Sequence, residues 1–213
     1  MYSLAKRGLA AYSDFKITVS AKTEAPESGK ESEEANGTCI TRRAAPLTPA
    51  RPVLSDNLLD SVTDSSFKII IEPASERNGP VSCLELTLVQ LNRNEGIDGK
   101  DPDILYHPDR LGTYQQAQES MNTPYVAVAL TGNEITNSME VEIGVGGTTS
   151  CGGNISRRKR RQSKREHIGD NGALRPNTRY TAFLRAYSVL EDGMEVYSTS
   201  PLMQSIQTES YSQ

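Results

Sequence analysis

The fold is decided by residues 174–186, which read LRPNTRYTAFLRA. Leu174 precedes Tyr180 by six residues, and small or apolar side chains then recur at every second position. This period is typical of a β-strand with one buried face. A tyrosine at the start of such a strand forms the tyrosine corner of β-sandwiches, in which its hydroxyl bonds back to the preceding backbone. We therefore assign Leu174, Pro176 and Tyr180 to a structural corner.

The corner stretch occurs twice in the chain. Residues 9–21, LAAYSDFKITVSA, align without gaps on residues 174–186. In both copies a leucine precedes an aromatic residue by six positions. The aromatic residue of the first copy is Phe15, which can pack in a corner but lacks the hydroxyl that the bond needs. The matched spacing predicts two related modules in tandem.

Alternation dominates the chain between the two copies. Apolar side chains recur at period two in four segments separated by turn-forming residues: Phe67, Ile69 and Ile71; Leu84, Leu86 and Leu88; Val126, Val128 and Leu130; and Val141, Ile143 and Val145. The helical prediction is limited to a short helix at 113–122. The sequence therefore predicts an all-β fold, a sandwich of short antiparallel strands. Two connections, 92–112 and 146–172, are longer than a sandwich needs.

Prolines divide the chain into segments. The stretch AAPLTPARP at 44–52 holds three prolines, which fix φ and remove backbone donors, and so predicts an extended linker. Residues 1–43 are too few for the roughly seven strands of a sandwich, so we expect this chain to be a piece of a longer protein or a partial gene model. The predicted organisation is part of one module at 1–43, a linker at 44–64, a sandwich at 65–208 and a tail at 209–213.

Charge is unevenly distributed along the 213 residues, whose formal net charge is −4. Residues 157–165, RRKRRQSKR, hold seven of the 23 basic residues and no acidic one. Without those seven, 16 basic residues face 27 acidic ones. An acidic body disfavours wrapping of a nucleic-acid backbone. The sequence contains neither a signal-peptide pattern at its N-terminus nor a run of about 18 apolar residues.

The basic run contains a protease recognition pattern. Its core, Arg158, Lys159, Arg160 and Arg161 followed by Gln162, matches the Arg-x-Lys/Arg-Arg pattern that furin-like proteases cleave. Such a protease needs an extended, accessible segment, which a glycine-containing loop offers. Two other interpretations remain open: a nuclear-localisation or nucleic-acid-binding patch, and a solvated charged loop. For an extracellular protein, cleavage after Arg161 is favoured.

The three cysteines, Cys39, Cys83 and Cys151, are too few for a disulfide scaffold. Cys83 alternates out of phase with the leucines that follow it, so it faces away from the core, as does a thiol linked to a surface loop. We predict a disulfide between Cys83 and Cys151. Three free thiols in a cytosolic protein are the alternative. CxxC and CxxH spacings are absent, which disfavours a zinc site.

Other motifs concern modification and catalysis. Asn36 and Asn154 begin N-x-S/T sequons, both in predicted loops, and are predicted glycosylation sites. The aspartates of 98–109 depart from the EF-hand pattern and are interpreted as a solvated acidic loop. The sequence contains no GxSxG, HExxH or P-loop motif. No catalytic residue, metal or cofactor is predicted.

The order of motifs is similar to that of one protein family. Residues 78–81, NGPV, lead into CLELTLVQL; PYVAVA at 124–129 follows; then come a Gly-rich strand end, the basic run, the corner at 174–186, and YSTSP at 197–201. This order resembles the membrane-proximal ectodomain of receptor-type protein tyrosine phosphatases, over about residues 60–208. The first 43 residues resemble the last two strands of a preceding fibronectin type III module.

The resemblance implies a fibronectin type III-like sandwich on the extracellular side of the plasma membrane, in a single-pass protein whose span lies outside this chain. It implies roles in cell adhesion and axon-guidance signalling. The implied partners are a cell-surface or matrix protein, a furin-like protease, and the two cleavage products with each other, but no nucleic acid. The family's catalytic HCxxGxxR motif is absent, because His107 precedes proline and His167 precedes isoleucine.

Two alternatives to this family remain. The first is an intracellular protein whose basic run directs nuclear import or binds nucleic acid. The second is an unrelated adhesion or cytokine-receptor-type ectodomain, and the absence of tryptophan disfavours its cytokine-receptor form, which carries a WSxWS box.

Overall fold

The computed structural model describes residues 8–21, 32–55, 61–93, 95–97, 99–151 and 166–211. The strands are β1 Asp14–Val19, β2 Ala35–Ile40, β3 Val53–Leu54, β4 Phe67–Ile71, β5 Cys83–Leu91, β6 Tyr125–Thr131, β7 Met139–Ile143, β8 Thr148–Cys151, β9 His167–Asp170, β10 Arg179–Val189, β11 Glu195–Thr199 and β12 Ile206–Gln207. Helices are short: α1 Pro102–Leu105, α2 Tyr114–Glu119, and two 3₁₀ turns, Pro108–Arg110 and Gly132–Glu134. Helix α2 confirms the helix predicted at 113–122, and a capping box at Thr113 begins it.

Two antiparallel sheets face each other across the main core. One has the order β3-β4-β7 and the other β11-β10-β5-β6, with β12 also paired to β10. Inward side chains from both sheets, including Phe67, Ile69, Leu86 and Leu184, are almost fully buried between them. The predicted all-β sandwich is confirmed, and its strand order is fibronectin type III-like.

The five-stranded sheet is covered on its outer face as well. Every residue of β5 is buried, although successive side chains point to opposite sides. The described parts of the two long connections fold back over the outer face. Two further apolar clusters lie beneath them, one around Tyr106 and Phe183 and the other around Cys83 and Tyr187. Cys83 therefore points away from the main core, as predicted, but into a second buried layer.

The predicted alternation is wrong at two positions. The register of β6 shifts opposite Leu86, so Ala127 and Val128 both contact the main core and Val126 turns to the outer layer. Such a bulge adds a residue to one strand and inverts the faces beyond it. Val145 is exposed because β7 ends at Ile143 and the chain turns at Gly144, whose φ is 97°.

The two copies of the corner stretch form the same hydrogen bonds. In the second copy, Thr208 Oγ1 donates to the Arg175 carbonyl at 2.6 Å and accepts from the Thr178 N–H at 3.0 Å. In the first copy, Thr41 Oγ1 makes the equivalent bonds to Ala10 (2.6 Å) and Ser13 (2.9 Å). A threonine immediately after a later strand, β2 or β12, therefore closes the turn in both copies.

The backbone of the two turns also agrees. Tyr12 and Asn177 occupy equivalent positions and both adopt left-handed conformations, with φ of 44° and 49°. Their N–H groups donate to the carbonyls of Arg42 and Glu209, at 3.1 and 2.8 Å. Because non-glycine residues rarely adopt positive φ, this agreement indicates that the sequence repeat is a structural repeat.

The proline-rich segment lies along the sandwich. The Ala44 N–H donates to the Asn78 carbonyl at 3.0 Å, and Asn78 Nδ2 donates to the Ala45 carbonyl at 2.9 Å. Pro46 is buried and accepts a bond from Ser198. Strand β3 pairs with β4, so a strand of the sandwich lies within the segment predicted as a linker at 44–64.

Candidate functional site

The predicted cleavage residues, Arg158, Lys159, Arg160, Arg161 and Gln162, lie outside the described residues, as does Asn154. The structure describes both ends of the segment that contains them. Strands β8 and β9 pair antiparallel, with Cys151 opposite His167. The chain therefore leaves the sheet at Cys151 and returns to it at the neighbouring position, His167.

A disulfide holds the end that precedes the basic run. Cys151 of β8 is bonded to Cys83 of β5, with their Cα atoms 5.5 Å apart. Both residues are buried in the outer layer, beside Ala129 and Tyr187. Cys39 is free and exposed on β2. The bond that the sequence predicted between Cys83 and Cys151 is thus present, and it links the start of the segment to a central strand.

A buried histidine holds the end that follows the basic run. His167 Nδ1 lies 2.8 Å from Glu85 Oε1, and its Nε2 lies 2.9 Å from Glu195 Oε1. The ring packs against Tyr187 with centroids 4.3 Å apart, and the Tyr187 hydroxyl donates to Glu85 Oε2 at 2.9 Å. The side chains of His167 and Glu85 are only 6% and 1% exposed.

The carboxylates determine the charge of His167. Burial alone would lower its pKa, but the hydrogen bonds and negative charges of Glu195 and Glu85 outweigh burial and raise the pKa to about 9. The imidazole is therefore protonated at neutral pH, and both ring nitrogens donate. A buried charge is stable only when it is paired and hydrogen-bonded, and here two carboxylates share one imidazolium.

A second ion pair, between the buried Arg185 and the partly exposed Asp103, holds the other long connection, 92–112, which we call the first insertion; the connection 146–172 is the second insertion. Arg185 of β10 is fully buried, and its Nη2 lies 3.2 Å from Asp103 Oδ1 of α1 and 3.0 Å from the Tyr106 carbonyl. Its guanidinium packs between the rings of Phe183 and Tyr197, 5.2 and 5.1 Å from their centroids. Arg185 therefore joins α1 to the outer face of the sheet.

The first insertion is more ordered than its acidic composition indicates. Asp103 also accepts a bond from Thr199 Oγ1 at 2.7 Å, and Asp101 Oδ1 caps the N–H of Asp103 at 2.9 Å. The interpretation of this run as a solvated loop is wrong for Asp103, which is partly buried and ion-paired, whereas Asp101 is exposed. Within the described part of the chain, no group of three or more His, Cys, Asp or Glu residues is arranged to hold a metal ion.

The predicted corner is present around Tyr180. The Arg175 N–H donates to the Tyr180 hydroxyl at 2.9 Å, and this tyrosine is 1% exposed. Burial raises the pKa of its phenol. Leu174 packs in the main core, and its N–H donates to the Ser65 carbonyl at 2.8 Å. Pro176 accepts a bond from the Thr178 hydroxyl at 2.9 Å.

The first sequon lies in a different setting from the one predicted. Asn36 is in strand β2, not in a loop, opposite Thr18 of β1. Its Oδ1 accepts a bond from Thr18 Oγ1 at 2.8 Å, and the residue is exposed. The side chain is therefore accessible although the backbone is paired.

Sequence reasoning missed His167, Glu85 and Arg185. A signal for two of them exists, because Glu85 and Arg185 interrupt long apolar strands at positions where a covered sheet needs apolar side chains. These two residues face each other in the register of β5 and β10. His167 carries no comparable local signal.

Comparison with known proteins gives one distant relationship. No family model matches the chain. The chain is 32% identical over 117 residues to Tyrosine-protein phosphatase 69D of Drosophila melanogaster. Those residues are 54% of this chain, which spans only 7% of that protein. The chain is therefore distantly homologous to a tyrosine phosphatase. None of the helices in the described ranges is long and apolar enough to cross a membrane.

Proposed function

We propose that this chain is a noncatalytic, extracellular, membrane-proximal segment of a receptor tyrosine phosphatase, and that it carries a furin-type processing loop. The carrying observation is the position of the basic run within a fibronectin type III-like sandwich, between two paired strand ends that are both held to the sheet. The distant homology to a tyrosine phosphatase supports the parent family.

Several features support an extracellular location. The buried Cys83–Cys151 disulfide is typical of an oxidising compartment and disfavours the intracellular alternative. The repeated corner supports residues 1–43 as the end of a preceding fibronectin type III module. Asn36 and Asn154 are the glycosylation sites of this proposal. Recognition of a cell-surface or matrix protein in adhesion and axon guidance is the role that the resemblance adds.

Cleavage after Arg161 would divide the sandwich without dismantling it. The first product would carry β1 to β8, and the second would carry β9 to β12. Strand β10 pairs with β5 along Arg179–Tyr187 and with β11 on its other side, so the second product supplies a central strand of the sheet. Separation would expose Phe183 and Leu184, which are fully buried. The two products therefore stay associated through the core.

The disulfide would not join the products. Cys83 and Cys151 both precede Arg161 and remain on the first product. Association thus depends on strand pairing, burial and buried ion pairs, not on a covalent bond.

Cleavage is tested by secretion of the chain from cells behind a heterologous signal peptide. The proposal predicts two bands under denaturing conditions that co-elute in native chromatography. Arg160→Ala combined with Arg161→Ala abolishes the second band, because residues 157–160 and 158–161 both match the pattern and each match requires an arginine before its scissile bond. Arg165→Ala, in the same basic run but outside the pattern, is the matched control and leaves cleavage unchanged. A single band from the unaltered chain would contradict the proposal.

A further inference from the structure

We propose that His167 is the positioning residue that fastens the new N-terminal segment of the second product to the first product, through Glu85. This inference rests on the proposed cleavage after Arg161. His167 follows the scissile bond closely, at the first position of β9. Its two carboxylate partners lie on different products: Glu85 on the first and Glu195 on the second.

The two ends of the processing segment are held by different chemistry. Cys151, before the basic run, is fixed covalently to Cys83 of the same product. His167, after the run, is fixed by contacts at 2.8 and 2.9 Å to Glu85 and Glu195. The covalent link therefore organises one product, whereas the Glu85–His167 contact crosses between the products.

After cleavage, Asn171, just beyond the C-terminal end of β9, still holds that end to the first product through bonds to Gly144 and Glu142, and His167 is the side-chain anchor at the end next to the cut. Strand β9 is four residues long and pairs with β8, which belongs to the first product. Gly169 packs so closely on β6 that an added Cβ would lie 2.7 Å from the Val128 Cα. A side-chain anchor next to this contact strengthens the attachment of the N-terminal end of β9 to the sheet.

Each element packed on His167, the anchor, contributes charged or titratable groups. Strand β5 contributes Glu85, β11 contributes Glu195, and β10 contributes Tyr187 and, opposite Glu85 in the register, Arg185. Loss of the imidazolium would remove the cation that lies 2.8 Å from the buried Glu85 carboxylate. Removing one member of a buried ion pair is strongly destabilising, so the anchor has a measurable effect.

The test uses the purified chain, cut by furin in vitro, and measures the rate at which the two products separate after dilution. His167→Gln should accelerate dissociation roughly tenfold or more. His107→Gln is the matched control, because His107 is half exposed and its partner Asp109 lies on the same product. Equal rates for the two variants would overturn the inference.

A pH profile separates anchoring from a general structural defect. Dissociation of the unaltered products should accelerate as the pH rises through about 9, where His167 loses its proton, and His167→Gln should lack this step. The measurement on the unaltered products needs no variant, so it still tests the inference if His167→Gln fails to fold. A flat profile for the unaltered products would overturn the inference.

The inference and the proposed function fail in different ways. If furin does not cut the purified chain, the proposed function fails, and the anchor is then judged in the uncut chain by hydrogen exchange of the amides of β9. His167→Gln should raise their exchange roughly tenfold or more, and His107→Gln should not. Unchanged exchange in His167→Gln would overturn the anchor whether or not cleavage occurs.

Discussion

His167 and Glu85 form a buried ion pair, 2.8 Å apart, although 82 positions separate them in the sequence. The pair joins β9 of the second insertion to the centre of the five-stranded sheet. Together with Arg185 and Asp103, it shows how both long insertions are held on the outer face. Because both insertions cover the outer face of the sheet, β5 is buried on both sides.

The pH dependence of stability should report His167. Its pKa is raised from 6.5 to about 9 in the folded chain, so its contribution is present below pH 6.5 and is lost as the pH rises through 9. Relative to His167→Gln, the unaltered chain should lose about 3 kcal/mol of unfolding free energy between pH 6.5 and 9.5. Urea unfolding at the two pH values measures this difference.

Titration of the imidazole checks the cause directly. The chain has two histidines, so His107→Gln leaves His167 as the only imidazole in a proton NMR spectrum. Its ring protons should titrate near pH 9. A midpoint near the ordinary value of about 6.5 would contradict the pairing with Glu85 and Glu195.

Loss of the Asp103 carboxylate should destabilise the first insertion. Asp103→Asn removes the charge that faces the fully buried Arg185, and it should lower the unfolding free energy by about 1–2 kcal/mol, since Asp103 is partly exposed. Asp109→Asn in the same insertion is the control, with an expected change within about 0.5 kcal/mol. Equal effects of the two substitutions in chemical denaturation would count against the Arg185–Asp103 anchor.

The number of free thiols should distinguish an oxidised ectodomain from an intracellular protein. Because Cys83 and Cys151 are bonded and Cys39 is free, alkylation of the denatured, unreduced chain should add one label. After reduction it should add three labels. Three labels without reduction would support the intracellular alternative. Replacement of both bonded cysteines by serine should lower the unfolding free energy by about 2–4 kcal/mol.

The corner hydroxyl should contribute to stability by itself. Tyr180→Phe removes the acceptor of the Arg175 N–H and should cost about 1–2 kcal/mol of unfolding free energy. Tyr211→Phe removes a hydroxyl from a tyrosine that is 74% exposed, and it should have almost no effect. Urea unfolding measures both variants. A similar loss in both would show that the corner hydrogen bond makes no specific contribution to the unfolding free energy.

The sequence predicted what depends on neighbouring residues. Alternation identified the inward face of β4 at Phe67 and Ile69, and the six-residue spacing identified the corner at Tyr180. The disulfide followed from the phase of Cys83. These features are local, or follow from a period that only one secondary structure satisfies.

The sequence did not predict what depends on distant packing. Val126 changes face because a bulge shifts the register of β6, and no local residue marks that bulge. The outer layer forms because two insertions fold back on the sheet, so the alternation of β5 gives no sign that both faces are buried. The sequence does not show that Glu85 is the partner of His167, because the two residues meet only when β9 packs on β5.

The central claim is that the chain is cut within the basic run and that the products stay together without a covalent bond. Native mass spectrometry of the secreted chain tests this most directly. We predict one complex that separates on denaturation into a first product ending at Arg161 and a second beginning at Gln162. A single intact mass, or recovery of the first product without the second, would contradict the account.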